Sequence, residues 1–299
     1  MTLSTGLKSA GLLALVVVTV LIIAAGPDSA DRDSTGPIVP VDSAGFHLDS
    51  YAVNQDSLYQ WLLPESLREI SGLAATSDDR LFTHDDEMGE VYEIDPVAGG
   101  IVKIFTLGEQ GVWDDFEGIA AADDFLFMVT STGTLYRFQE GADGQWVQFD
   151  RFQTPLDEIC EVEGLTFDAT HRRLLLACKQ MFDDNQPEQV SVFAWSVDEE
   201  KLAGALFEIP MEELRQSIGK KHFNPSGIVY RSITGTVFLI AARQRLILEF
   251  TLNGELIAIM QLAKKEHHQV EGISFLSNGL LILADEGEKR RARLSLYSP

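Results

Sequence analysis

The chain has 299 residues, 45% hydrophobic and 23% charged, which is the composition of folded globular protein and excludes a disordered or low-complexity polymer. Asp and Glu outnumber Lys and Arg by 46 to 23, giving a formal charge of −23. Such a surface repels phosphate backbones, so no nucleic-acid partner is expected, and cations are the natural counterparts.

The first element is apolar. "GLKSAGLLALVVVTVLIIAAG" (Gly6–Gly26) carries one charge, Lys8, and is about as long as a bilayer-spanning helix needs. Ala24-Ala25-Gly26 offers the small residues of a cleavage site, but Pro27 follows, so the expectation is an uncleaved transmembrane anchor over residues 7–26. Lys8 at the start of the span, and Asp28, Asp31 and Asp33 alongside Arg32 after it, give the expectation that residues 1–6 lie in the cytoplasm and the rest outside. Residues 27–50 are rich in Pro, Gly, Ser and Asp and read as a flexible linker.

From residue 51 a repeat takes over. "REISGLA", "DFEGIA", "EVEGLTF", "NPSGIVY" and "QVEGISF" place Gly72, Gly118, Gly164, Gly227 and Gly272 at spacings of 46, 46, 63 and 45 residues. Each of the first four copies is followed by three further strand signals, for example "LFMVTS", "LYRFQ" and "WVQFDRFQT" after Gly118, and the fifth by two. Four antiparallel strands per repeat predict an all-β, five-bladed β-propeller over residues 51–299. The fifth repeat lacks its fourth strand, while "SLYQWLLP" (Ser57–Pro64) is an orphan strand, so the N-terminal strand is expected to complete the last blade. Two insertions explain the long spacing: "KQMFDDNQPEQ" in blade three, and "MEELRQSIGKKHF", which carries a short helical pattern. Cys160 and Cys178 fall on neighbouring strands about three residues out of register. An exported chain permits them to pair, but they read as two small buried side chains.

Side chains alternate along a strand, so the residues one and three before each Gly share a face. The nearer column is Ser71, Glu117, Glu163, Ser226 and Glu271; the farther is Glu69, Asp115, Glu161, Asn224 and Gln269. In a propeller the first strand of each blade lines the central channel, so both columns form rings of oxygen-bearing side chains. Like charges at that range disfavour ionisation unless a cation joins them. The mixture of carboxylates, amides and hydroxyls suits Ca2+ and not zinc, with Glu69, Glu117, Glu163, Glu271, Asp115, Glu161 and Asn224 as candidate ligands. Asp85 and Asp285, in acidic turns, are within reach of the same face but read as solvated, as does Asp114; His267 and His268 are candidate bases. No nucleophile elbow, phosphate-binding Gly loop or His-Glu-x-x-His motif occurs.

Taken in order, "EISGLA", "HDDEMGEVYEID", "DFEGIA", "EVEGL" and "QVEGISF…LLILADEG", with the N-terminal apolar segment, resemble the SdiA-regulated, YjiK-like family of bacterial envelope proteins. The resemblance implies a five-bladed propeller distantly similar to NHL repeats, with a bound calcium ion. Ser71 and Ser226 depart from the acidic pattern, which moves the expected ion off-centre toward blades two, three and five. The expected protein is anchored in the inner membrane by a single span, with its propeller in the periplasm binding an envelope ligand or protein. The alternative is a calcium-dependent hydrolase of lactones or phosphoesters, using the ion to polarise the substrate and His267, His268 or a ring carboxylate as base.

Overall fold

A computed structural model describes residues 45–299 apart from 56, 184–187 and 288. The expected anchor over 7–26, and the linker as far as residue 44, lie outside the described residues. Among the described residues no helix is long and apolar enough to cross a membrane.

Strand β1 (Tyr59–Leu62) comes first, followed by the blades in chain order. Blade one is β2 (Ile70–Ala75), β3 (Leu81–Asp85), β4 (Glu90–Ile94) and β5 (Ile101–Leu107). Blade two is β6 (Phe116–Ala122), β7 (Phe125–Thr130), β8 (Leu135–Phe138) and, after the two-residue β9 (Trp146–Val147), β10 (Phe149–Phe152). Blade three is β11 (Cys160–Asp168), β12 (Arg173–Met181), β13 (Gln189–Ser196) and β14 (Lys201–Pro210). Helix α1 (Met211–Ile218) leads to blade four: β15 (Gly227–Arg231), β16 (Thr236–Ala241), β17 (Leu246–Thr251) and β18 (Leu256–Gln261). Blade five is β19 (Val270–Phe275), β20 (Leu281–Asp285) and β21 (Arg293–Tyr297), with β1 antiparallel to β21 as its fourth strand.

The innermost strands touch in the order β2, β6, β11, β15, β19 and back to β2, so five sheets surround one axis. The apolar runs explain the layering. Strand β16 is buried along its whole length, while the outer β18 alternates between half-buried and exposed positions, as an edge strand facing water does. The predicted helical insertion is α1, which buries Met211, Leu214 and Ile218 at helical spacing and ends on left-handed Gly219.

Three local readings need correction. The expected fourth strand of blade two, "WVQFDRFQT", is split: β10 completes that blade, but β9 crosses to pair in parallel with β5 of blade one. The segment read as linker up to residue 50 packs from residue 45 onward. Leu48, Tyr51 and Val53 are buried, and the fully buried Glu249 carboxylate accepts from the Leu48 amide at 2.8 Å, the His47 ring at 2.7 Å and the Thr236 hydroxyl at 2.9 Å.

Cys160 and Cys178 are disulfide-bonded, with Cα atoms 5.8 Å apart, against the reading of two unpaired side chains. They are out of register, because Cys160 lies opposite Met181 and Cys178 opposite Val162, but the bulge at Lys179, between those two pairs, shortens the offset. The bond closes a loop with a sequence separation of 18. Replacing both cysteines by Ala is expected to lower stability by about 3 kcal/mol in chemical denaturation.

Candidate functional site

The repeated Glu-Gly is where the inner strands depart from regular pairing. In blade two Phe116 pairs with Thr130 and Gly118 with Val129, leaving Glu117 as an extra residue; in blade five Glu271 is left over in the same way. In blades one and three, Ser71-Gly72 and Glu163-Gly164 each face a single residue of the next strand. A bulge re-aims its extra side chain. This is how a carboxylate sits within a buried strand yet points into the channel. Blade four, with Pro225 ahead of Ser226, pairs without a shift, and the Ser226 hydroxyl donates to the Val270 carbonyl at 2.8 Å.

The glycines that follow bring neighbouring blades together. A Cβ on Gly118 would lie 2.6 Å from the Leu165 nitrogen of the next inner strand. At this waist the channel divides into two cavities with no lining residue in common, of about 490 Å³ and about 690 Å³. The smaller holds the polar rings. Glu69, Ser71, Glu117, Glu163, Asn224, Ser226, Gln269 and Glu271 line it together, which is the convergence the spacing predicts.

Asp115 and Glu161 are not among the lining residues. Asp115 is exposed and accepts from the Ser131 hydroxyl. Glu161 pairs with Lys179 Nζ at 3.0 Å, and the same ammonium also binds Glu163. The Asn224 side-chain oxygen accepts from Gln244 at 2.8 Å, and its amide nitrogen donates to the Lys179 carbonyl at 3.1 Å. Asp114 accepts from the Tyr136 hydroxyl at 2.7 Å instead of facing water alone.

A third column, missed from the sequence, comes from the end of each second strand. Asp86, Ser131, Lys179, Ala242 and Glu286 occupy equivalent positions, and all but Ser131 line the cavity. Lys179 enters because it is itself the extra residue of a bulge, between Gln180 opposite Glu161 and Cys178 opposite Val162. The signal was available: four of these five positions are polar at the close of otherwise apolar strands.

Four of the cavity's carboxyl groups, on Asp86, Glu117, Glu163 and Glu271, are shifted upward. Burial, then the neighbouring Asp85 and Glu69, pushes Asp86 up to about 7, and its Oδ1 is buried without a hydrogen-bond partner. Burial, followed by Glu286 and Glu163, pushes Glu271 up to about 8. Glu117 and Glu163 share the same buried surroundings. Burial raises both, Glu163 raises Glu117 further, and Lys179 draws Glu163 back. Glu69, Asp85 and Asp86 each bring one carboxylate oxygen within 4.8 Å of the others. Asp85 is therefore part of this acidic corner.

Of the two candidate bases, His267 is buried and committed: its ring nitrogens meet Asp285 Oδ2 at 2.8 Å and the Tyr297 hydroxyl at 2.9 Å. Asp285 also accepts from the His268 amide at 2.8 Å, so it is a buried brace for this loop and not a solvated side chain. His268 lines the cavity.

These features define a five-bladed β-propeller with an acidic, partly self-neutralised cavity at one end of its axis. The model of the SdiA-regulated family matches residues 206–298, and over that stretch the chain carries the signature of the family its motifs resemble. No curated protein matches the chain. Among solved structures it is similar to Myxococcus xanthus glutaminyl cyclase, with a TM-score of 0.58 and 12% identity over 81% of this chain and 95% of that one. It is also similar to the PQQ-bound aldose sugar dehydrogenase of Streptomyces coelicolor, with a TM-score of 0.51 and 12% identity over 81% and 97%. At such identities the likeness is one of fold.

Proposed function

We propose that the protein is a membrane-tethered, extracytoplasmic propeller that binds calcium in the acidic cavity and uses that face to hold a ligand or protein of the cell envelope. What carries the reading is the buried, unpartnered Oδ1 of Asp86 in a cavity where Glu117, Glu163 and Glu271 are also held above the ordinary carboxylate range. A hard divalent cation takes roughly six to eight oxygens in irregular geometry, and the donor set offers oxygens in that number with no thiol. Lys179 already neutralises Glu161 and Glu163. The ion therefore belongs toward blades one, two and five, held by Glu69, Asp86, Glu117 and Glu271, not toward blades two, three and five as the pattern alone suggested. When bound it supplies positive charge and open coordination positions for a ligand.

The disulfide supports an oxidising compartment, and the apolar segment near the N-terminus supports attachment to the inner membrane with the propeller in the periplasm. A thermal-shift titration tests the metal. Calcium at about a hundredfold its dissociation constant should raise the melting temperature by about 5–10 °C, reversed by chelator, and the Glu117→Gln, Glu271→Gln double variant should lose the response. An unchanged melting temperature with both calcium and chelator removes the metal from this reading.

A second reading, a calcium-dependent hydrolase of lactones or phosphoesters, is favoured only by His268, which lines the cavity. A panel of such esters decides it: turnover that falls in His268→Gln and with chelator supports catalysis, and turnover indifferent to both removes it.

A further inference from the structure

One wall of the acidic cavity is basic. Arg243 and Arg245 lie in the short turn between β16 and β17, Lys264 lies between β18 and β19, and all three line the cavity. In a chain with twice as many acidic as basic residues, long cationic side chains find carboxylates readily, as Arg137 does with Asp150 and Glu200, and Lys179 with Glu161 and Glu163. No carboxylate oxygen of the described residues lies within 4.0 Å of Arg243, Arg245 or Lys264, although an acidic wall stands across the same cavity. The Nε of Arg245 is buried and has no hydrogen-bond partner.

The turn that carries the two arginines is fixed. The Arg245 amide donates to the Ala242 carbonyl at 3.1 Å, and the Arg245 carbonyl accepts from the Leu262 amide at 2.8 Å and from Gln261 Nε2 at 2.6 Å. Gln244, between the arginines, is tied to Asn224 by two hydrogen bonds. The guanidinium stems thus start from a held backbone, while their donor groups remain uncommitted. A guanidinium presents a planar fork of donors that matches the paired oxygens of a phosphate or carboxylate. A cavity of about 490 Å³ is in the range that encloses a small molecule.

We propose that Arg243, Arg245 and Lys264 bind the oxyanion of a small ligand, a phosphate monoester or a carboxylate, whose remainder lies toward the acidic wall. This rests on reading the cavity as a ligand site, but not on the identity of the ion. The overall charge of −23 gives such a ligand no long-range attraction, so recognition falls to these three cations and to any divalent cation held opposite them.

The test titrates phenyl phosphate and, separately, benzoate into the full chain, with calcium and then with chelator, following the heat of binding. Saturable one-to-one binding of at least one probe is expected. Arg243→Gln and Arg245→Lys should each weaken it at least tenfold. Arg151→Gln, on the outermost strand of blade two, should leave it within twofold. Binding of phenyl phosphate alone assigns a phosphate monoester, and binding of benzoate alone a carboxylate. Absence of binding by both probes at millimolar concentration, or binding equal in the wild type and both cavity variants, overturns the proposal. Arg243 is exposed, so its variant remains informative should Arg245→Lys disturb the turn. Oxyanion binding that persists in chelator while calcium leaves the melting temperature unchanged removes the calcium reading and keeps this one.

Discussion

Stripped of divalent cations, the propeller should lose stability as the pH rises from about 5 to about 8, and calcium added at the upper end should restore it. Asp86 and Glu271 carry the effect. In the unfolded chain both ionise near pH 4, whereas in the folded protein they hold their protons up to about 7 and about 8. Between those limits the folded state binds more protons than the unfolded one, so stability falls as pH rises, by at most about 1.4 kcal/mol per pH unit for the well-buried Glu271 and by less for the half-exposed Asp86, where solvent screens the effect. Their contribution is fully present below about pH 4 and is gone above about pH 8. Glu117 and Glu163 are shifted in the same direction and add to the loss. Calcium replaces those protons, so its affinity should rise across the same range and its binding should release protons to the buffer. Denaturant melts in chelator at pH 5, 6.5 and 8 measure the first effect, and calorimetry in buffers of different ionisation heat the second. A flat or rising stability profile in chelator would show that the ring carboxylates ionise freely.

Replacing Gly118 by Ala should cost about 3 kcal/mol, which is large for one methyl group. The new Cβ would meet the Leu165 nitrogen at 2.6 Å, and the Gly164 carbonyl carbon and Leu165 Cβ at 3.0 Å. Backbone atoms are the obstacle, so no rotamer change relieves the contact, and the inner strands of blades two and three must move apart. That displacement reaches Glu117 and Glu163, one residue before each Gly, and calcium response should weaken together with stability. Gly100→Ala serves as the control. Nothing lies within 4 Å of its Cβ, and it should melt within about 1 °C of the wild type. Equal melting of the two variants would mean that the inner strands of blades two and three can separate at little cost.

Gly118 also shows why the fold could be read from the chain. Its recurrence at Gly72, Gly164, Gly227 and Gly272 answers a requirement imposed five times, that adjacent inner strands meet without a Cβ between them, and repetition turns a weak dipeptide into a period. The ring residues were legible for the same reason, because each is tied to its Gly. What was not legible arose where one blade differs from its siblings. Lys179 sits in an apolar second strand and enters the cavity through a bulge that leaves no mark in the alternation of β12. The same irregularity lets Cys160 reach Cys178. Asp86 and Glu286 follow Asp85 and Asp285 in the same acidic turns, and composition describes a turn's polarity and not its direction. Ahead of the first blade, a few apolar side chains among Pro and Asp do not rise above linker composition, yet Leu48 and Tyr51 are held by Glu249 and by the Gly279 carbonyl.

The pairing of β1 with β21 joins Tyr59 to Leu296, so the fifth sheet is built from segments synthesised at opposite ends of the domain. A chain emerging from its N-terminus presents β1 long before the strand it needs exists. Until then β1 has no ladder partner, and Leu62, already exposed in the finished molecule, stands beside the uncovered Trp61. Blades two to four can pair their own strands as each is completed, and blade one waits only for β9 to reach β5, because the strands within these sheets follow one another closely in the chain. Docking β1 onto β21 must wait for the last residues and requires closure of the longest loop in the domain, the slowest kind of contact to form. The biosynthetic window in which the propeller is vulnerable to aggregation or proteolysis therefore stays open at least until β21 has been made.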